Sequence, residues 1–268
     1  MRKPKGIVLY KGPSKIDGKP IIVIATGLRD KTDNPKLGDM IPIWIMRRDI
    51  PPTLAARIGE DSSVCGNCKH RDFGSCYVNL HHGPLNVYRA FYRDSYLDLS
   101  DNSLKYLKYL KGKNLRFGAY GDPAAAPIDL WFKLSIVANG YTAYTHAWKT
   151  CDPGLKRYCM ASCDTAKEKI EAQALGWRTF RVRLEDEELF DDEIMCPASN
   201  EAGKKTTCNK CGLCSGVRYL DLKSVGIIPH GGGAQSWKAK NFIKGIKKLK
   251  NKKKWRKNFE EIKARLYV

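Results

Sequence analysis

Ten cysteines occur in this 268-residue chain, and four of them fall within nineteen residues. These are Cys196, Cys208, Cys211 and Cys214, here called the second cysteine group. Thiols separated by two residues converge on one point more readily than thiols scattered through a core, and thiolates are ligands of zinc and of iron–sulfur clusters. The spacing therefore predicts a metal site, with zinc as the expected metal and an iron–sulfur cluster as the alternative.

A first cysteine group, Cys65, Cys68 and Cys76, lies earlier in the chain. A Cys-x-x-Cys turn followed by a third cysteine supplies three metal ligands, and His70 is a candidate for the fourth. The other candidates for that position are Cys151, Cys159 and Cys163. A disulfide framework is the alternative, but it is typical of short secreted chains, and no apolar signal segment follows Met1. We expect a cytoplasmic protein.

The formal charge of +20 is concentrated at one end of the chain. Eleven lysines and arginines, and no acidic residue, lie between Lys238 and Lys257. Such a run predicts a polyanionic partner, which is nucleic acid in the first place and DNA before RNA. The candidate phosphate-binding residues are Lys247, Lys248, Lys250, Lys252, Lys253, Lys254 and Arg256.

Apolar residues recur at roughly helical spacing through the same run, from Phe242 to Leu266. This pattern predicts a basic helical tail at 238–268 behind a β/α domain at 1–237 that carries both cysteine groups. The alternative is a terminal helix packed on the domain with a solvated basic face, and a membrane-surface helix is a weaker third reading. No apolar run approaches the roughly 20 residues that span a bilayer, so we expect no membrane partner.

The middle of the chain alternates strand-like runs with amphipathic stretches. Helices are predicted at Ile128–Asn139, ending at Gly140, and at Thr165–Leu175, with Asp164 as N-cap. The predicted strands are Ile21–Ala25, Ile41–Met46, Leu115–Tyr120, Tyr141–His146, Tyr158–Cys163, Trp177–Arg183, Glu193–Cys196 and Val225–His230. This order favours an α/β fold that is β/α-barrel-like, incomplete or decorated by cysteine-rich insertions, with an open parallel sheet as the alternative. The polar segment 29–38 predicts that the first two strands form a hairpin.

In either architecture the functional site lies at the carboxyl ends of the strands. The candidate catalytic residues there are Asp122 and His146. Asp122 suits a base or nucleophile, with a helix cap as the alternative. His146 suits a proton donor or acceptor beside Tyr144 and Trp148, which could hold a flat base between them, and the alternative is a buried histidine bonded to the backbone.

Further candidates for substrate binding follow from the same placement at strand ends. They are Tyr120 and Arg181, together with Gly231 and Gly232 of a triple-glycine segment after His230. Glycine-rich loops after a late strand cradle phosphates with backbone amides. The alternative is a flexible exit into the basic tail.

Several motifs together resemble an uncharacterised family of cysteine-rich bacteriophage and mobile-element proteins. They are Gly12-Pro-Ser-Lys, Cys65-Gly-Asn-Cys68, Tyr120-Gly-Asp-Pro-Ala, Tyr144-Thr-His-Ala-Trp148 and Cys196-Pro-Ala-Ser. The resemblance covers roughly residues 5 to 235 of the chain. It implies a location in the host cytoplasm but no established activity.

The chain is also distantly similar to the queuine tRNA-ribosyltransferases and their phage DNA-modifying relatives. That resemblance implies a β/α barrel that exchanges a guanine for a deazaguanine, with Asp122 as the aspartate carried over. The second cysteine group would stand in place of that family's zinc site of three cysteines and one histidine. The spacing differs, however, and no second catalytic aspartate matches.

These observations lead to one expected function and two alternatives. We expect a metal-binding phage-type protein that modifies or exchanges a nucleic-acid base, a transferase. The first alternative is a non-enzymatic, metal-stabilised DNA-binding protein. The second is an iron–sulfur radical enzyme, since Cys76-Tyr77 resembles the end of the cluster motif of enzymes that use adenosylmethionine, although Cys65, Cys68 and Cys76 depart from that motif in both gaps.

Overall fold

A computed structural model describes residues 3–29, 37–73, 75–101, 103–218 and 222–229. These residues form a ten-stranded sheet. Its strands are β1 (Gly6–Pro13), β2 (Pro20–Thr26), β3 (Ile41–Arg47), β4 (Leu97–Asp98), β5 (Asn114–Tyr120), β6 (Gly140–Thr145), β7 (Met160–Cys163), β8 (Thr179–Val182), β9 (Glu193–Met195) and β10 (Ser224–Ile227). The α-helices in these ranges are α1 (Pro52–Ile58), α2 (Ser62–Cys65), α3 (Lys69–Phe73), α4 (Gly83–Tyr92), α5 (Ser103–Leu110), α6 (Ile128–Val137), α7 (Ala166–Ala174) and α8 (Cys208–Cys211).

The sheet is open, and most of it is parallel. Its strand order is β4-β1-β2-β3-β5-β6-β7-β8-β10-β9. Strands β1, β2 and β3 pair antiparallel, whereas β3 pairs parallel with β5, and every later pair through β9 is also parallel. The α/β class is therefore confirmed, and the sheet takes the open form, the alternative to a barrel.

The antiparallel part of the sheet forms because its strands are rich in β-branched side chains. In β2 the run Ile21–Ala25 is wholly buried, and in β3 Ile43 and Ile45 are also inaccessible to solvent. Continuous apolar runs of this length favour strands covered on both faces. The hairpin predicted for these two strands is confirmed, with Ile22 opposite Met46. The strand β1 was not predicted.

Helix α6 covers one face of β5 and β6. Its Trp131 is fully buried, with its ring 4.9 Å from that of Phe117, and Phe117 in turn stacks on Tyr141 at 5.0 Å. The indole Nε1 of Trp131 donates a hydrogen bond to the carbonyl of Pro123 at 2.9 Å. Helix α6 begins and ends close to its predicted bounds, so the unit of β5, loop and α6 could be predicted from the sequence.

The opposite face of β5 and β6 carries polar and aromatic side chains. Arg116 of β5 and Thr142 of β6 lie within 3.5 Å of each other, and the Arg116 guanidinium lies 4.3 Å from the centre of the Tyr144 ring. The segment that contains the second cysteine group covers this face, and the amide of Ala143 donates to the carbonyl of Cys214 at 2.9 Å. The sheet thus separates the helical layer from the second cysteine group.

The connection between β3 and β5 is long and carries α1 to α5 together with the first cysteine group. Helix α1 begins at a proline, which suits the first turn of a helix, and ends at Gly59 in the left-handed conformation with φ of 83°. Helix α2 follows at once and ends at Cys65. None of these helices was predicted, although α4 and α5 are amphipathic.

No helix in the described residues has both the length and the apolar composition needed to cross a membrane. The tail at 238–268, including the basic residues Lys247 to Arg256, lies outside the described residues, as do His230, Gly231 and Gly232.

Candidate metal centres

Three neighbouring parallel strands deliver polar side chains to one edge of the sheet. Strands β5, β6 and β7 are adjacent, and shortly after their carboxyl ends follow Asp122, His146 and Asp164. Parallel strands place their carboxyl ends at the same edge, which is where ligands bind in open α/β sheets. We call this region the edge site.

Helix α3 adds His70 to the edge site. One potential ligand atom each of His70, His146 and Asp164 lies within 4.8 Å of the other two. The His70 Nε2 atom is 2.9 Å from Asp164 Oδ1, and the His146 Nε2 atom is 3.9 Å from the same oxygen. The His70 Nδ1 atom is 2.8 Å from the Ser75 hydroxyl, which orients the ring. Two imidazoles and a carboxylate are typical ligands for zinc and other divalent transition metals.

The electrostatics of the edge site favour the ligand forms of these residues. Burial lowers the pKa of His146 below its usual value, although the negative charge of Asp164 acts in the opposite direction. The ring is therefore neutral near pH 7. Burial by itself would raise the pKa of Asp164, but the hydrogen bond from His70 and the charge of Lys69 bring that pKa below its usual value. A neutral imidazole and an ionised carboxylate both carry free lone pairs.

The first cysteine group adjoins this triad. The Cys68 Sγ atom lies 3.8 Å from His146 Nε2. A tetrahedral zinc with Zn–S of about 2.3 Å and Zn–N of about 2.0 Å separates its sulfur and nitrogen ligands by about 3.5 Å. Burial raises the pKa of Cys68 to about 12, and the neighbouring Cys76 adds to the rise. The separation between Cys68 and His146 is therefore close to that of two ligands of one ion.

A buried hydroxyl without a partner also marks this region. Tyr120 is 5% exposed, and its hydroxyl has no hydrogen-bond partner among the described residues. Burial raises the pKa of Tyr120, and the neighbouring Cys65, Asp61 and Cys76 raise it further. A buried unsatisfied hydroxyl in a folded protein calls for an acceptor, and a metal-bound thiolate is one. Tyr120 thus lies beside the thiols rather than facing a substrate cleft.

Asp122 lies at the edge site, where both carboxylate oxygens accept backbone amides. Its Oδ1 accepts from Ala124 N at 2.9 Å, which caps the 3-10 helix Pro123–Ala125, and its Oδ2 accepts from His146 N at 2.8 Å. The side chain is buried, and burial raises its pKa. The cap foreseen as its alternative role is present, and the carboxylate also positions His146. Its role as base or nucleophile stays a prediction.

The two aromatic residues predicted to hold a base have other contacts. Trp148 is 5% exposed, and its Nε1 donates to the carbonyl of Ser162 at 3.1 Å. Tyr144 packs on Phe180, with ring centres 4.4 Å apart, and lines the cavity of the second cysteine group. Neither ring offers an open stacking surface beside His146.

Arg181, a predicted substrate-binding residue, is committed within the fold. It is 1% exposed, and its Nη2 is 2.7 Å from a carboxylate oxygen of the fully buried Glu193. The same nitrogen donates to the carbonyl of Glu188 at 2.7 Å. The ion pair joins β8 to the start of β9 across the intervening strand β10, and these donors of Arg181 are used within the fold.

The second cysteine group surrounds one small cavity on the opposite face of the sheet. Its four sulfur-bearing residues line this cavity together with Thr142 and Tyr144. Burial, together with the neighbouring thiols of Cys196, Cys208 and Cys211, raises the pKa of the Cys214 thiol to about 12. The structure thus brings together all four cysteines that the spacing singled out, although neither cysteine group is as compact as the 4.8 Å set of His70, His146 and Asp164 within the described residues.

Local geometry explains how the chain folds around this cavity. Cys196 follows β9, and its amide donates to the carbonyl of Gly226 in β10 at 2.8 Å. Helix α8 carries Cys208 and Cys211 one turn apart and ends at Gly212, which has φ of 64° and redirects the chain. The Nδ2 of Asn114 donates to Asn209 Oδ1 at 2.7 Å, which ties α8 to the start of β5.

All ten cysteines lie in the described residues, and each is a free thiol. No family model, curated protein or solved structure matches the chain. The resemblances to phage proteins and to the queuine tRNA-ribosyltransferases therefore remain expectations, and the function has to be inferred from the chain's own residues.

Proposed function

We propose that the chain is a metal-binding protein that acts on nucleic acid, with the edge site as its working centre. The observation that supports this most directly is the convergence of His70, His146 and Asp164 at the carboxyl edge of the parallel strands, with Cys68 beside His146. These side chains come from segments up to 96 residues apart, which a purely structural thiol motif does not require.

In this proposal the roles at the edge site differ from those expected from the sequence. His146 is a metal ligand instead of a proton carrier, because its Nε2 faces Cys68 and Asp164. Asp122 holds the backbone of His146 in place. A metal in this position supplies a Lewis acid for a reaction on a base, and modification or exchange of a base remains the reaction that we propose.

The second cysteine group has a different role in the proposal. It lies between the sheet and its own loop, where Cys214 is buried and Cys196, Cys208 and Cys211 are half-buried. A four-cysteine site without an open position is typical of structural zinc, and the same ligands suit an iron–sulfur cluster. We propose that this group stabilises the fold and takes no part in the reaction.

Nucleic acid is the proposed partner because of the charge of +20 and the run of eleven basic residues at 238–257. If about six of these side chains met phosphates, the affinity would fall roughly a thousandfold between 50 and 200 mM salt. The test compares DNA and RNA binding by the full chain and by a chain that ends at residue 237, over that range of salt. Equal affinity of the two chains would contradict a role for the tail.

One observation favours the non-enzymatic alternative. Trp148 is buried and Tyr144 lies at the second cysteine group, so neither of the two rings expected to hold a base is available for stacking at the edge site. A metal-stabilised DNA-binding protein requires no such surface.

Metal analysis of anaerobically purified protein tests the metal proposal and identifies the ion. We expect two metal sites per chain. Zinc would leave the protein colourless, whereas an iron–sulfur cluster would make it brown, with absorbance near roughly 400 nm. Protein that contains neither zinc nor iron would overturn the proposal.

A further inference from the structure

Two buried arginines at the second cysteine group lack an acidic partner. Arg116 is 8% exposed and Arg178 is 7% exposed. In the part of the chain that the structure describes, no Asp or Glu carboxylate forms an ion pair with either guanidinium. Removing a charge from water is costly unless the group is both hydrogen-bonded and paired with an opposite charge.

Other buried arginines of the same molecule show the usual solution. Arg47, 6% exposed, pairs with Asp49 at 2.7 Å and with Glu60 at 2.8 Å. Arg181 pairs with Glu193 at 2.7 Å. The fold therefore provides carboxylates for buried guanidinium groups elsewhere, whereas the described residues provide none for Arg116 and Arg178, which favours another source of negative charge beside them.

Arg116 points toward the cavity of the second cysteine group. Its Nη1 is 3.5 Å from the Thr142 hydroxyl, and its guanidinium stacks 4.3 Å from the centre of the Tyr144 ring. Both of those residues line the cavity together with the four cysteines. Its Nη2 donates to the Tyr77 hydroxyl at 2.9 Å, which is a neutral acceptor. The cation is thus fixed beside the thiols without being neutralised by its direct partners.

Arg178 holds the backbone on both sides of Cys214. Its Nη1 donates to the carbonyls of Leu213 at 3.0 Å and Gly216 at 2.7 Å. Its Nε and Nη2 donate to the carbonyls of Leu222 and Lys223 at 2.9 and 2.7 Å. These hydrogen bonds satisfy the donors but leave the positive charge next to the cysteine loop.

We infer that the second cysteine group holds its metal as a centre of four thiolates with two net negative charges, which Arg116 and Arg178 neutralise. A divalent ion bound by four deprotonated cysteines carries this charge, and so does an iron–sulfur core of charge 2+. The two arginines are positioning residues that lower the cost of burying the charged centre. The inference rests on the metal proposed for this group and adds its protonation state and its counter-charges.

The test measures zinc affinity by chelator competition in the full chain. Cys68→Ser and His146→Ala are present throughout, so that the edge site does not contribute. In this background we compare Arg116→Met, which removes the charge, with Arg116→Lys, which keeps it. The control is Arg47→Met, because Arg47 is equally buried but has carboxylate partners. Absorbance of the protein as isolated distinguishes zinc from an iron–sulfur cluster.

We expect Arg116→Met to weaken zinc binding roughly tenfold to a hundredfold, the range for residues that support metal ligands. Arg116→Lys should recover most of this loss, and Arg47→Met should leave zinc affinity unchanged. Equal losses in Arg116→Met and Arg47→Met would show an effect of fold stability and overturn the inference. If the parent with Cys68→Ser and His146→Ala binds no metal, the proposed metal site itself fails. If Arg116→Met does not fold, Arg116→Gln is measured in the same way.

Discussion

The two candidate metal centres are assembled in opposite ways. All four thiols of the second cysteine group lie within nineteen residues, around a short helix and one strand end. The edge site draws Cys68, His146 and Asp164 from separate segments that meet only when β6 and β7 pair and the α2–α3 insertion folds over them. A local site can be recognised by spacing, whereas a distributed site exists only in the folded chain.

Their surroundings differ as well. The second cysteine group has two arginines beside it that have no carboxylate partner among the described residues, which suits a negatively charged centre. At the edge site the His146 side chain retains 24% exposure, and the hydrogen bond between His70 and Asp164 organises the ligands. The comparison suggests a stabilising centre in one place and a working centre in the other, and substitutions confined to one centre separate the two roles.

The largest effect is expected from Cys211→Ser in the second cysteine group. Loss of one of four thiolates should release the metal from this group and lower the free energy of unfolding by about 3 kcal/mol or more, because metal binding contributes directly to folding. Metal content and thermal unfolding measure the result. The control is Cys151→Ser, since Cys151 is half-buried and belongs to neither group. Identical metal content and melting temperature in the two variants would contradict a stabilising role.

His146→Ala should have a smaller effect on stability but should abolish metal binding at the edge site. This variant should lose the edge-site metal while the second cysteine group keeps its own, with a change of about 1 kcal/mol in the free energy of unfolding because the ring is only half-buried. Metal content per chain and circular dichroism measure both. His82→Ala is the matched control, since His82 is exposed. Retention of both metals in His146→Ala would remove His146 from the ligands.

The difference between the two centres also explains what could be predicted from sequence. The second cysteine group could be singled out by spacing alone, and its four residues line one cavity in the structure, while its metal stays a prediction. At the edge site, Asp122 and His146 were expected at strand ends and lie there, because hydrophobic runs and glycine stops mark β5 to β7 well.

The sequence did not indicate which partner each polar side chain would bind. Asp164 was expected to cap α7, but Thr165 is the cap, and its hydroxyl accepts from Glu168 N, which leaves Asp164 to accept from His70. That contact depends on where α3 lies. Helix α3 has only five residues, which is too short for a hydrophobic period to predict it. Whether the sheet closes into a barrel could not be predicted either, because the number of strands alone does not distinguish a barrel from an open sheet.

The smallest effect is expected from Glu60→Gln, which changes only the ion pairs that hold the turn next to the edge site. Glu60 accepts from Arg47 at 2.8 Å and also pairs with Lys19, and these contacts fix the turn between α1 and α2 shortly before Cys65. Burial by itself would raise the pKa of Glu60, but hydrogen bonds from Lys19 and Arg47 lower it below its usual value. A carboxylate with a depressed pKa contributes stability above its unfolded-state pKa and loses it as the pH falls through the folded-state pKa.

Wild type should therefore exceed Glu60→Gln by about 1 kcal/mol in the free energy of unfolding at pH 7, and the difference should vanish under acidic conditions. Urea unfolding at several pH values measures it. Because Glu60 does not contact the second cysteine group, the metal of that group should be held equally by both proteins, while the edge-site metal should dissociate slightly faster from the variant. A pH-independent difference would mean that the Glu60 charge is not what stabilises the turn, and the edge site would then depend on packing rather than on this ion pair.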